Sequence, residues 1–138
     1  MVERLIILAA LALAAAIGWS AVRIWRARRL RRLAAESPFA GIVPEGRPAV
    51  VAFSTPTCAE CRSRQVPALR RLAASVGDAA SIATLSALEH PELVSRVGIL
   101  TVPATVVLDA RGAVRQVNLG YADERRLAEQ IEGLGARG

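Results

Sequence analysis

The sequence predicts an α/β domain with a mixed β-sheet, preceded by a single membrane-spanning helix. From residue 49 onward, apolar runs of strand length alternate with segments in which apolar residues recur at helical spacing. Before this domain, the run Leu5–Val22 contains no charged residue. A chain of 138 residues has room for one domain of about 100 residues together with such a helix.

The apolar run Leu5–Val22 has the length of a membrane span. Its 18 residues extend about 27 Å as a helix, close to the roughly 30 Å hydrocarbon core of a bilayer. Trp19 and Trp25 lie at its end, where aromatic residues favour the membrane interface. A cleavable signal peptide is the alternative. It normally carries positive charge before the apolar run, whereas here Glu3 and Arg4 cancel and the arginines follow.

The excess positive charge is confined to the N-terminal segment. The formal net charge is +6, and residues 1–33 carry seven arginines and one acid, which accounts for all of it. The rest of the chain has equal numbers of basic and acidic residues and therefore no excess positive charge to bind nucleic acid. We expect no nucleic-acid partner. Arginine-rich flanks stay in the cytoplasm and attract anionic lipid head groups. We therefore expect the domain on the cytoplasmic side of the cell membrane, with the outer face as the alternative.

Segment 34–47 is predicted to be a linker because it has no sustained period and contains prolines and glycines. The predicted organisation is a transmembrane helix with its arginine-rich flank at 1–33, the linker at 34–47, and the α/β domain at 48–138.

The predicted element order of the domain is β-α-β-α-β-β-α. Strands separated by helices are expected to pair in parallel, and the short turn between the last two strands predicts an antiparallel hairpin. Helices are expected on both faces of the sheet. The predicted strands are Ala49–Ser54, Ser81–Leu85, Ala104–Asp109 and Ala113–Gly120, and the predicted helices are Ala59–Val76, His90–Gly98 and Asp123–Gly135.

The two cysteines of the chain, Cys58 and Cys61, lie in the stretch "FSTPTCAECR". A structural zinc site needs four ligands. The two cysteines and the single histidine, His90, supply only three. A structural disulfide between them would close too short a loop to restrict the unfolded chain much. Two inert core cysteines are a further alternative. We therefore expect no metal and favour redox chemistry.

The redox interpretation explains where the cysteines lie. Cys58 falls where the loop after a strand becomes a helix, and a thiolate at a helix N-terminus is stabilised by the partial positive charge and the unpaired N–H groups there. The pKa of Cys58 is therefore expected below that of a free cysteine. Cys61, one turn later, is within reach of a mixed disulfide formed at Cys58. We expect Cys58 to be the nucleophile and the more exposed sulfur, and Cys61 to be the buried, resolving one.

These residues resemble the thioredoxin-like thiol–disulfide oxidoreductases over about residues 48–134. The stretch "VVAFSTPTCAECR" is similar to the first core strand and active-site helix of that family, and Pro67 falls within one residue of a helix proline that is common there. "VGILTVPAT" is similar to the segment with the cis-proline, and "LDARGAVRQVNLGY" to the terminal hairpin. The resemblance implies a thioredoxin-like fold.

The resemblance also implies a substrate site. It predicts a cis bond at Val102–Pro103, opposite the cysteines, and a Val102 backbone with which an extended substrate segment pairs. Thr57 and Ile99 are expected to contribute to the same surface. No cofactor is implied beyond a redox-active disulfide between Cys58 and Cys61.

The chain departs from the family pattern around its cysteines. Thr57 stands where thioredoxins usually have tryptophan, Ala59 and Glu60 stand where they have glycine and proline, and Ala52 occupies the position of their buried acid. Glu60 is the nearest candidate for a substitute proton acceptor, or it is an ordinary solvated carboxylate. Its charge opposes a thiolate at Cys58, which favours a reductant over a strong oxidant.

The sequence therefore predicts a membrane-anchored thiol–disulfide oxidoreductase that acts as a protein-disulfide reductase. The expected partners are a disulfide-containing protein substrate and an electron-donor protein, either thioredoxin reductase-like or a transmembrane donor. We expect a monomer. The alternatives are a non-catalytic scaffold that tethers a partner at the membrane and a redox sensor.

Overall fold

The structure is a computed structural model that describes residues 1–137, with side chains described through residue 134. The chain forms two compact units, Met1–Arg32 and the remainder from Leu33 onward. Its helices and strands follow the predicted order and are α1 (Val2–Glu36), β1 (Ala49–Ser54), α2 (Val66–Val76), β2 (Ser81–Ser86), α3 (Pro91–Val97), β3 (Ala104–Leu108), β4 (Val114–Leu119) and α4 (Glu124–Arg137).

The four strands form one mixed sheet in the order β2-β1-β3-β4, so the predicted fold class is confirmed. β1 and β2 pair in parallel, whereas β1–β3 and β3–β4 are antiparallel. The expectation that all helix-separated strands pair in parallel is wrong for β2 and β3, which do not neighbour each other. α3 has seven residues and is roughly 10 Å long. It is too short to return the chain along the sheet, so β3 starts at the edge where β2 ends.

One face of the sheet carries the hydrophobic core beneath α2 and α4. Val50 and Ala52 of β1 and Val107 of β3 are buried against apolar side chains of the two helices, which are Leu69, Leu72, Leu127 and Ile131. α4 begins where the sequence predicts, because the Asp123 carboxylate accepts the Arg126 backbone N–H at 2.8 Å and caps the helix. This packing fixes the helix that follows the cysteines against the sheet.

The opposite face carries Val51 and Phe53, since side chains alternate along a strand. Phe39 lies edge-on to Phe53 with ring centroids 6.2 Å apart, and Leu93 and Val97 of α3 are also buried. Phe39 belongs to the segment predicted as a linker. Residues 34–36 of that segment are the end of α1, and the rest forms turns. Phe39 and Val43 are buried on the domain, so part of the segment belongs to the folded unit.

Helix α1 runs from Val2 to Glu36 and therefore extends well past the predicted span Leu5–Val22, through the arginine-rich stretch. Its apolar side chains are exposed over the whole run. By length and composition the helix suits a membrane span, and a signal sequence would satisfy the same criteria. Near its end, Arg29 lies over the ring of Trp25 at 5.4 Å.

Candidate redox-active site

The site lies at the edge of the sheet where β1 and β2 end and β3 begins. Phe53 of β1 pairs with Ala104 of β3, which pairs with Leu119 of β4. The cysteine loop, the Val102–Pro103 segment and the turn after β4 therefore meet at one edge. The Gly120 N–H donates to the Pro103 carbonyl at 3.0 Å, which joins the second and third of these segments.

Cys58 and Cys61 are joined as a disulfide, with their Cα atoms 5.3 Å apart. Cys58 is half-buried, whereas Cys61 is only 2% exposed. Helical backbone begins at Ala59, so Cys58 occupies the N-terminal end of the helix. The Cys61 backbone N–H donates to the Cys58 sulfur at 3.1 Å. Cys58, at a helix start, is therefore the more exposed of the two cysteines and Cys61 the more buried one, as predicted.

The helix after the cysteines starts with a wide turn. Residues Cys61–Gln65 form a π-helix, and the Val66 N–H donates to the Cys61 carbonyl five residues earlier. A π-bulge inserts one residue into an α-helix and is common at functional sites. Pro67 lies directly after this wide turn, at the start of α2.

Gln65 joins the active-site helix to the loop after β4, a contact that the sequence analysis missed. Its side chain is 2% exposed. The side-chain amide donates to the Ala122 carbonyl at 2.9 Å and accepts the Ala122 N–H at 3.1 Å, as a neighbouring strand would. The sequence has no local signal of this contact, because the burial of Gln65 and its partner 57 residues away appear only in the folded domain. The pair of bonds ties the turn that carries Cys61 to the turn that carries Tyr121.

Replacing Gln65 with leucine is expected to destabilise the domain. The change leaves the buried N–H and C=O of Ala122 without their partner, and each such group costs about 1–3 kcal/mol. Urea unfolding of the full chain in mild detergent, followed by circular dichroism, measures the effect. Gln116→Leu, at an exposed position of β4, is the matched control and should leave the midpoint nearly unchanged. Equal midpoints for the two variants would show that the Gln65 bonds contribute nothing.

Glu60 lies on the exposed side of the first turn. Its carboxylate is 3.4 Å from the Arg64 guanidinium, its side chain is 48% exposed, and Arg64 lies over the Tyr121 ring at 4.3 Å. Glu60 is therefore a solvated, paired carboxylate and not a buried acid. The buried Ala52 position pairs in register with Thr105, whose hydroxyl accepts the Asn118 amide at 3.0 Å.

The structure has a cis peptide at Val102–Pro103, as predicted. Val102 is partly exposed beside the buried Pro103, and Thr57 is exposed directly before Cys58. Ile99 does not fit the predicted docking surface, because its side chain is only 6% exposed. It follows the left-handed Gly98 that ends α3, and its backbone N–H is bonded to the last turn of that helix. This turn buries Ile99 and leaves Leu100 87% exposed.

The sequence analysis did not identify the other large exposed apolar side chains at the edge of the sheet where the cysteine loop lies. Leu88 follows β2, and Leu119 ends β4 at the same edge. With Leu100, which comes shortly before β3, they are three exposed leucines at the edge of the sheet where the cysteine loop lies, here called the apolar rim. Single leucines at turns carry no periodic signal, so only the sheet topology brings them together.

Across residues 1–137 no group of three or more histidine, cysteine or acidic side chains is arranged to hold a metal ion. The redox-active element in this part of the chain is the cysteine pair itself.

Comparisons with known proteins agree with the fold. A family model described as Thioredoxin matches residues 32–133. A thioredoxin of Alicyclobacillus acidocaldarius is 27% identical over 96 residues, covering 70% of this chain and 90% of that protein. A thioredoxin of Rhodospirillum rubrum is 31% identical over 85 residues, covering 62% of this chain and 80% of that protein. The solution structure of a thioredoxin-like protein from Clostridium perfringens superimposes with a TM-score of 0.62 at 23% identity, covering 69% and 76% of the two chains.

Proposed function

This chain belongs to the thioredoxin family of thiol–disulfide oxidoreductases, and on that premise we propose that it is a membrane-anchored reductase of protein disulfides. The observation that carries the proposal is the position of the Cys58 sulfur. It is half-buried at a helix N-terminus, accepts an N–H, and has the buried Cys61 directly behind it. This arrangement suits one attacking and one resolving sulfur.

The proposed reaction begins with the reduced dithiol. The Cys58 thiolate attacks one sulfur of a substrate disulfide, which forms a mixed disulfide and releases the other substrate sulfur as a thiolate. Cys61 then loses its proton and attacks the Cys58 sulfur. The second substrate thiol leaves, and the Cys58–Cys61 disulfide seen in the structure is formed. Two electrons pass from the protein to the substrate, and an electron-donor protein restores the dithiol by the same exchange.

The proton of Cys61 needs an acceptor during the second step. Ala52 occupies the buried position beneath the site, and its neighbours Thr105 and Asn118 do not titrate in the physiological range. Glu60 is the nearest carboxylate along the chain, and it is solvated. We therefore assign the proton transfer to Glu60, directly or through solvent.

The proposed substrate is an extended segment that bears a disulfide. Val102 and Pro103 lie at the same edge as the cysteines, and Thr57 precedes the attacking sulfur on the exposed side. The apolar rim of Leu88, Leu100 and Leu119 would pack against hydrophobic residues that flank the substrate disulfide. A segment that pairs with the Val102 backbone would be held by main-chain hydrogen bonds and would not need one particular sequence.

The negative charge of Glu60 favours a reducing potential. It lies two residues from Cys58 and disfavours the thiolate, which destabilises the dithiol relative to the disulfide. Equilibration with glutathione redox buffers, read by alkylation and mass spectrometry, measures the potential of the full chain. We expect a value closer to the roughly −270 mV of thioredoxin than to the roughly −120 mV of DsbA. A reduction potential close to that of DsbA would contradict the reductase assignment.

Removing the charge should make the pair less reducing. Exposed charge pairs contribute about 0.2–1 kcal/mol, so Glu60→Gln should raise the potential by about 5–20 mV. Glu129→Gln is the matched control, because Glu129 forms a similar exposed pair with Arg125, at 3.3 Å, on α4. Equal shifts in the two variants would show that the Glu60 charge does not act on the cysteines.

Helix α1 is the proposed membrane anchor. Leaving its exposed leucines and isoleucines in water is unfavourable, at about 25 cal/mol for each Å² of apolar surface. The arginines that follow the apolar run would stay on the cytoplasmic side and contact anionic lipid. A thioredoxin reductase-like protein would then supply the electrons. On the outer face, a transmembrane donor would be needed.

A further inference from the structure

The outer edge of β2 has unused hydrogen-bonding groups. The Ser81 N–H donates to Pro48 at 2.8 Å and the Ala87 N–H donates to Ser54 at 2.9 Å, so the odd-numbered residues of β2 direct their N–H groups to β1. Ile82 and Thr84 therefore direct their backbone N–H and C=O groups away from β1. Within residues 1–137, no strand pairs with this side of β2.

This edge lacks the usual protection against pairing. Natural edge strands are blunted by charged side chains, prolines or bulges. The sequence of β2, "SIATLS", has no charge and no proline, and its pairing with β1 is continuous without a bulge. Thr84, in the middle, is exposed, and the other side chains of the strand are only partly buried. The edge is therefore open to another extended strand.

We propose that β2 pairs with β2 of a second copy of this chain, antiparallel, about a two-fold axis at Ala83. In this register Ile82 lies opposite the partner's Thr84, and Thr84 lies opposite the partner's Ile82. Every outward N–H and C=O of these residues then finds a partner, and the two sheets become continuous. The neighbouring register, centred on Thr84, would use the Ser86 carbonyl, which already accepts the N–H groups of Glu89 and His90.

Charge also favours a second copy as the occupant. An uncharged strand has no like-charge repulsion against itself. Arg47 lies at the start of β2, bonded to the Ser81 hydroxyl at 2.8 Å, and the exposed Glu89 follows its end. Antiparallel pairing sets the Arg47 end of one copy beside the Glu89 end of the other, which is favourable. The two Cys58 sites fall at opposite edges of the joined sheet and stay accessible. A dimer is therefore proposed where the sequence analysis expects a monomer.

The test is cysteine cross-linking of the full chain in mild detergent, in a Cys58→Ser/Cys61→Ser background. Ala83 and the partner's Ala83 form a non-hydrogen-bonded pair with Cα atoms about 4.5 Å apart, which suits a disulfide. Ala83→Cys should therefore give a covalent dimer on mild oxidation. Thr84→Cys is the matched control. Its Cα would be about 8 Å from its symmetry mate, beyond the roughly 7 Å limit, so we expect at least about tenfold less dimer.

Adding Thr84→Pro to Ala83→Cys should abolish the cross-link. The proline removes an outward N–H and leaves the bonds between β1 and β2 in place. Thr84→Lys, which adds like charges beside the axis, should also abolish it if the proline variant fails to fold. Sedimentation of the wild type should show a reversible dimer that is lost in both variants. The proposal is overturned if Ala83→Cys stays monomeric, if Thr84→Cys cross-links equally well, or if the dimer survives both Thr84 substitutions.

Discussion

Cys58→Ser is expected to reduce insulin disulfides no faster than buffer with reductant alone. The serine hydroxyl is a far weaker nucleophile at neutral pH than a thiolate, so the first exchange step is lost. Cys61→Ser should behave differently. It keeps the half-buried Cys58 sulfur and can attack once, but it lacks the buried sulfur that releases the product. We expect a single partial turnover followed by arrest.

Ser63→Ala serves as the control for the cysteine variants. Ser63 is exposed on the same turn and is not part of the proposed chemistry. It should retain wild-type insulin reduction, with turbidity from the precipitating insulin chain as the readout. Full activity of Cys58→Ser would exclude Cys58 as the nucleophile, whereas a wild type no faster than buffer with reductant would favour the non-catalytic scaffold.

A fusion of alkaline phosphatase to the C-terminus is expected to be inactive, because the domain is proposed to stay in the cytoplasm. Six arginines lie from Arg23 to Arg32, whereas residues 1–4, before the apolar run, contain Arg4 and Glu3. Moving those arginines across the membrane opposes the positive-inside bias. Neutral residues at the last five of them should raise phosphatase activity severalfold, and these are Arg26, Arg28, Arg29, Arg31 and Arg32.

The matched control for the topology experiment replaces five arginines of the domain that lie far from the apolar run. Arg70, Arg71, Arg111, Arg115 and Arg125 are exposed and should not affect orientation when neutralised. Strong phosphatase activity of the unmodified fusion would place the domain outside and would make a transmembrane protein the electron donor. Unchanged activity after the N-terminal replacements would show that other features set the orientation.

The sequence predicts the elements of this domain well because its apolar patterns are local. β1 is observed at the predicted residues, and β2, β3, β4, α3 and α4 differ by one or two residues at their ends, where backbone hydrogen bonding frays. The predicted helix Ala59–Val76 has helical backbone from Ala59, but the π-helix Cys61–Gln65 interrupts it, so α2 begins at Val66. The partners of the strands were harder to predict. The antiparallel pairing of β3 with β1 depends on the short α3, which keeps the connection at one edge of the sheet.

Long-range contacts account for what the sequence analysis missed at the site. Gln65 and Ala122 are 57 residues apart, and nothing in either local pattern predicts their two hydrogen bonds. The burial of Ile99 and the exposure of Leu100 follow from the turn after Gly98, and an apolar pair in a loop does not reveal which member faces inward. Phe39 falls in the predicted linker because no local pattern shows that its side chain is buried. Its contact with Phe53 exists only in the folded domain.

The most direct test of the central claim is to identify the sulfur to which a substrate becomes attached. Cys61→Ser should be incubated as the full, reduced chain with a disulfide-bearing peptide, quenched with acid, and mapped by mass spectrometry. We predict one substrate half joined to Cys58 by a mixed disulfide that persists, and rapid release from the wild type. If no adduct forms on Cys58, or if the wild-type adduct is as long-lived as that of Cys61→Ser, attack by Cys58 and resolution by Cys61 are contradicted.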